Sequence, residues 1–285
     1  MSSKEYFQLV SDFARELTKG DISLPSFPEV VLRIRKLLEK DDVLIEQVSS
    51  AVSTDPVLVS RLLVFANSSH HNPAGVRIES LDVAISRLGF ELVKNTAVSL
   101  AIKQLALAEQ HKDIAPQMRA VWQRSMQLAA MSSVVAARKR ELDKEAAFLC
   151  GLLHHVGKLY ILTRSKDYPA LLADAEQFEV LADDWHPKVG KSIVESWNFP
   201  EEIVRTLEPS EYLSEFTHED ATLVDVVHVA DQLLKFEDND DDGAAVIELL
   251  SEPAATRIGI APEHLANLRK AYNEKLSAVR EALTT

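Results

Sequence analysis

Apolar residues recur at three- and four-residue spacing along almost the whole chain, and no other feature constrains the fold as strongly. Val30, Ile34, Leu37 and Leu38 make one helical stripe, and Ile45, Val48 and Val52 make a second. Asp55-Pro56 reads as a helix start, a cap followed by proline at the first helical position, ahead of Val59, Leu62, Leu63 and Ala66. Asn72, Pro73 and Gly75 break the pattern over residues 70–75. Ser80 then caps a helix carrying Leu81, Ala84, Ile85 and Leu88, which Gly89 ends. Further helices are predicted over 91–109, 116–140, 145–164 and 222–236, with Pro169, Pro187 and Pro200 as first-turn prolines and a last helix from Pro262. Alternating β-branched runs are lacking, so the spacing predicts an all-α chain.

The 285 residues include 46% hydrophobic and 26% charged side chains with only 8 glycines, a composition that forms a core. The net charge of -13 argues against a nucleic-acid partner, because gripping phosphates takes clustered Lys and Arg. One cysteine, Cys150, excludes an internal disulfide, and its apolar neighbours Leu149 and Gly151 mark it as a buried small hydrophobe. The N-terminal residues have no apolar signal segment, and no uninterrupted apolar run approaches the ~20 residues that span a bilayer. A cytoplasmic protein without a membrane partner is expected. The acidic run 237–242 is read as a solvated loop.

Two adjacent histidines, in Gly151-Leu152-Leu153-His154-His155-Val156-Gly157-Lys158-Leu159, sit inside the most apolar predicted helix. Buried polar groups need partners, and neutral imidazole is a common metal ligand. Neighbouring helical residues point about 100° apart, so the pair alone makes no chelate and other helices must contribute.

This segment resembles the signature of the HD superfamily of metal-dependent phosphohydrolases, in which His-Asp stands at the place of His154-His155. Four other segments, in order, resemble the HDOD domain, the HD-related output domain of bacterial signalling proteins. They are Leu24-Pro25-Ser26-Phe27-Pro28-Glu29-Val30, Thr54-Asp55-Pro56-Val57-Leu58, Leu62-Leu63-Val64-Phe65-Ala66-Asn67-Ser68 and Ala84-Ile85-Ser86-Arg87-Leu88-Gly89-Phe90. The resemblance covers roughly residues 20–235 and implies an HD-like multi-helix bundle in two packed helical subdomains. The expected organisation is an N-terminal helix (1–19), an N-terminal helical half (20–115), an HD-like half (116–236), and an acidic loop with C-terminal helices (237–285). The loop around His111 to Pro116 is the expected seam.

Carried over residue by residue, the family's first metal-binding histidine falls on Arg124, within Val121-Trp122-Gln123-Arg124-Ser125. His154 is retained, the bridging aspartate becomes His155, and His186-Pro187-Lys188-Val189-Gly190 keeps the later His-Pro-x-x-Gly segment. The His-His pair of two-metal relatives becomes Glu208-Pro209, and the final aspartate is Asp231. A permanent cation at 124 and the lost carboxylate at 155 oppose a hard divalent metal. No metal or other cofactor is therefore expected; the alternative left open is one weakly held divalent ion on His154, His186 and Asp231. The bland expectation for His154 is a core histidine bonded to Asp231 or a backbone carbonyl. Arg124 is expected to pair with Asp231, or else to bind a phosphate or nucleotide.

Three functions follow from the resemblance. The leading one is a non-catalytic signalling module with a degenerate metal site, acting through a protein partner that the acidic surface suggests is basic. The second is a divergent metal-dependent phosphohydrolase acting on a nucleotide. The third is a nucleotide or cyclic-dinucleotide sensor near Arg124.

Overall fold

The structure, a computed structural model, describes residues 2–19, 28–40, 42–68, 71–208, 220–237 and 243–284. Residues 24–27, His70, Pro209 and the acidic run 238–242 lie outside the described residues. All regular structure among the described residues is helical. The chain divides into two compact units, Met1–Leu24 with Ala106–Leu276, and Pro25–Leu105 with Ser277–Thr285. The N-terminal helix and most of the C-terminal segment, set apart in the sequence, thus group with residues 106–236.

Helix α1 (Ser2–Lys19) belongs to the larger unit. The smaller unit holds α2 (Glu29–Leu38), α3 (Ile45–Val52), α4 (Pro56–Asn67), α5 (Leu81–Leu88) and all but the last residue of α6 (Phe90–Ala106). Val31, Ile34, Val48, Val52, Leu62, Ala66, Ala84 and Ile85 are buried, as the stripes predict. Asp55 caps α4, its carboxylate accepting from the amides of Val57 (2.9 Å) and Leu58 (3.1 Å), with Pro56 at the first helical position. Ser80 caps α5, and Gly89 closes it at φ 78°, a backbone angle that favours glycine. Asn67 ends α4 as a brace. Its amide nitrogen donates to the carbonyls of Leu63 and Ile78, and its oxygen accepts from the Ile78 amide, each at 2.8 Å.

The larger unit continues with α7 (Ala115–Ala136), α8 (Lys144–Leu153), α9 (Val156–Ser165), α10 (Pro169–Leu172), α11 (Ala175–Ser196) and α12 (Glu201–Val204). Then come α13 (Leu223–Glu237), α14 (Gly243–Ser251), α15 (Pro253–Ile258) and α16 (Leu265–Thr284), whose residues from Ser277 on belong to the smaller unit. Its most extensive packings are α7 on α8, α9 on α11, and α13 on α7. Residues 109–114 form a 3-10 helix leading into α7.

Two expectations are corrected. The helix predicted over 145–164 is broken: α8 stops at Leu153 and α9 starts at Val156, because His155 takes ψ 12°, outside the helical range. The span Lys144–Ser165 is long and apolar enough to cross a membrane, yet 78% of its most apolar window is buried inside the protein, as in a core helix pair. Pro187, expected in a first turn, lies inside α11, where its missing N–H leaves the Asp183 carbonyl without a helical donor.

Helix α1 is strapped onto α9–α11. Leu9 and Phe13 are fully buried, with the Phe13 ring 6.0 Å from Trp185. Glu16 pairs with Arg164 at 2.7 Å and accepts from the Tyr160 hydroxyl; Asp12 accepts from Tyr168 at 2.6 Å. The Glu5 carboxylate caps α10, accepting from the amides of Ala170 (3.0 Å) and Leu171 (3.1 Å).

Candidate functional site

The residues that the sequence singles out come together in the larger unit, supplied by four elements. Helix α7 brings Arg124, the α8–α9 break brings His154 and His155, α11 brings His186, and α13 brings Asp231. The three imidazoles cluster, with ring centroids 5.1 Å (154–155), 5.7 Å (154–186) and 5.8 Å (155–186) apart.

Two glycines set this arrangement. A Cβ on Gly151 would stand 2.6 Å from the Leu128 carbonyl oxygen, so α8 meets the backbone of α7 directly. A Cβ on Gly157 would stand 2.1 Å from the His186 carbonyl oxygen and 2.8 Å from the Gly190 nitrogen. The glycines flanking the histidine pair therefore hold α8 against the helix of Arg124, and α9 against the helix of His186. Sequence reasoning gave these glycines no role, because the need for them lies in another helix's backbone.

Asp231 is gripped by two cations. Its Oδ1 lies 3.4 Å from Nη2 of Arg124, and its Oδ2 lies 2.8 Å from Nζ of Lys235. The Arg124–Asp231 pair matches the expectation, although it is partly exposed at 24% and 19%. Lys235 was missed, though its position four residues after Asp231 on one helix was a usable signal. Burial pushes the Asp231 carboxyl up, but the hydrogen bond and charge of Lys235, with His154 and Arg124, outweigh it and hold it below the ordinary value. Glu208, at the place of the family's later pair, accepts from Lys191 at 2.7 Å.

The histidines are held neutral. Burial lowers all three, most strongly His155 and His186, where the neighbouring rings and Lys158 add to the effect. The charge of Asp231 and the nearby backbone of Thr206 partly offset the burial of His154. The nearby backbone of His154 partly offsets the burial of His186. The Nδ1 atom of each ring is buried without a hydrogen-bond partner among the described residues. Lys158 turns outward to Asp183 at 2.6 Å. Cys150 is buried, and burial pushes its thiol up to about 12.

The divalent-metal site implied by the resemblance does not fit this donor set. Among the described residues, no three or more His, Cys, Asp or Glu stand where they could hold an ion together. The remaining carboxylate already shares both oxygens with cations, and a guanidinium occupies the first ligand position.

The fold and this cluster define an all-helical domain of the HD-like type. More particularly, the chain belongs to the HDOD domain family, whose profile matches residues 24–211. It superposes on a provisionally assigned metal-dependent phosphohydrolase from Shewanella amazonensis SB2B with TM-score 0.78, at 22% identity, covering 96% of this chain and 99% of that one. An HDOD domain protein of unknown function from Geobacter sulfurreducens gives TM-score 0.73 at 24% identity, covering 96% and 98%. An uncharacterized protein of Treponema pallidum is 22% identical over 233 residues, which is 76% of this chain and 43% of that protein. The chain thus spans less than half the length of that relative. At these identities the solved structures carry the fold alone.

Proposed function

We propose that this chain is a regulatory HDOD module that acts by binding a protein partner and does not hydrolyse phosphoesters. The observation that carries this reading is the state of Asp231, whose two oxygens are held by Arg124 and Lys235. A metal entering here would have to displace both cations and accept buried neutral imidazoles in place of a bridging carboxylate. Water activation by a hard cation needs anionic oxygen donors and an open position. A second former ligand position, Glu208, is likewise neutralised by Lys191. The family's signalling context supports a protein partner, and the net charge of -13 supports a basic one.

The test is metal content after purification without chelator, together with hydrolysis of a nitrophenyl phosphodiester in added Mg²⁺ or Mn²⁺. The expected result is neither bound metal nor turnover in the wild-type chain, with metal binding gained in an Arg124→His, His155→Asp double variant. Stoichiometric metal and turnover in the wild type, both lost in His154→Ala and Asp231→Ala, would overturn the proposal in favour of a phosphohydrolase.

A further inference from the structure

We infer that the groove between α1 and the first turns of α11 docks a basic, apolar-anchored segment of the partner protein. The groove is shallow and open, and is lined by Tyr6, Phe7, Asp174, Glu176, Gln177 and Val180.

Two observations identify the occupant. First, the groove presents apolar anchors to solvent: Phe7 is 70% exposed and Val180 53%, beside the Tyr6 ring that meets Phe7 edge-on at 5.8 Å. Their exposure does not come from a loose α1, since the opposite face of that helix is fixed by Leu9, Phe13, Asp12 and Glu16. Second, the rim is acidic. Asp174 and Glu176 lie at the groove, and Glu179 and Asp183 follow on α11, with Lys158 as the cation that pairs with both. A basic segment complements this field, whereas a second copy of a chain of net charge -13, a nucleic acid or an anionic lipid surface would be repelled. Apolar anchors with Lys or Arg between them satisfy both features.

This inference rests on the interaction-module reading, and the two fail separately. The experiment is fluorescence anisotropy on the full chain with a labelled amphipathic leucine–lysine peptide, compared with a serine–lysine peptide of equal charge and a leucine–glutamate peptide. The leucine–lysine peptide is expected to bind, and Phe7→Ser, Val180→Ser and Glu176→Lys each to weaken it by about tenfold. Glu263→Lys, exposed and outside the groove, is expected to change it by less than about twofold. Circular dichroism confirms that each variant is folded. Equal binding of the serine–lysine peptide, or equal affinity in all variants, overturns the groove. So does a dimer of the free chain that Phe7→Ser dissociates, which would assign the groove to a second copy. Metal-dependent hydrolysis would instead sink the module reading, whatever the peptide does.

Discussion

At the scale of single residues, the chemistry-bearing side chains were legible because their types stand out against an apolar background. Arg124, His154, His155, His186 and Asp231 do converge, and the Arg124–Asp231 pair forms. Lys235 and the two glycines were not read, since lysine and glycine are common and their significance depends on what they face. The glycines give a sharp contrast to test. Gly157→Ala drives a Cβ into a backbone carbonyl 2.1 Å away, which cannot give without moving α9 off α11, and is expected to cost more than about 3 kcal/mol. Gly190→Ala meets the flexible Leu207 side chain at 3.2 Å and, at ordinary contact distance, the Gly157 nitrogen at 3.4 Å, and is expected to cost less than about 1.5 kcal/mol. Urea denaturation of both variants, followed by circular dichroism, checks the ordering.

At the scale of elements, starts and stops with a local cause were legible. Asp55, Ser80 and Gly89 act where the sequence placed them. The interruption at His154-His155 and the passage of α11 through Pro187 were not, because packing against other helices decides both. Asn67 shows how one side chain can fix the exit from a helix: three hydrogen bonds tie the end of α4 to Ile78, a buried member of the small cluster with Ala66 and Ala84. Asn67→Ala removes all three and is expected to destabilise by about 3 kcal/mol. Asn67→Asp should be no better, since a carboxylate keeps the acceptor but replaces the nitrogen that donates to both carbonyls with one oxygen that they repel. Thermal melts of the two variants beside wild type test this, and a wild-type-like Asn67→Asp would refute the brace.

At the scale of the whole molecule, the all-α class was legible from periodicity alone, while the grouping of α1 with the C-terminal helices was not, because such contacts join segments far apart in sequence. The buried histidines give the molecule a pH dependence of definite sign. Their folded values lie below the ordinary 6.5, so as pH falls through about 6.5 the unfolded chain takes up protons that the folded chain refuses. Stability is full above neutrality and declines below it, by up to about 1.4 kcal/mol per pH unit for each such histidine. Asp231, held below its ordinary 3.8, adds a second loss only under strongly acidic conditions. The melting temperature is expected to fall between pH 7.5 and 5.0, and His155→Leu to shallow that fall without loss at pH 7.5, since an imidazole nitrogen without a partner is removed. A fall equally steep in His155→Leu would contradict the assignment.

The glycines at 151 and 157 bring two helix pairs to backbone contact whatever stands between them. A descendant chain could therefore exchange every ligand of an ancestral reaction centre and still be obliged to keep the two glycines, six residues apart. The persistence of that pair in a genome is a record of architecture, and counting it as a tally of hydrolases would enrol scaffolds among the enzymes.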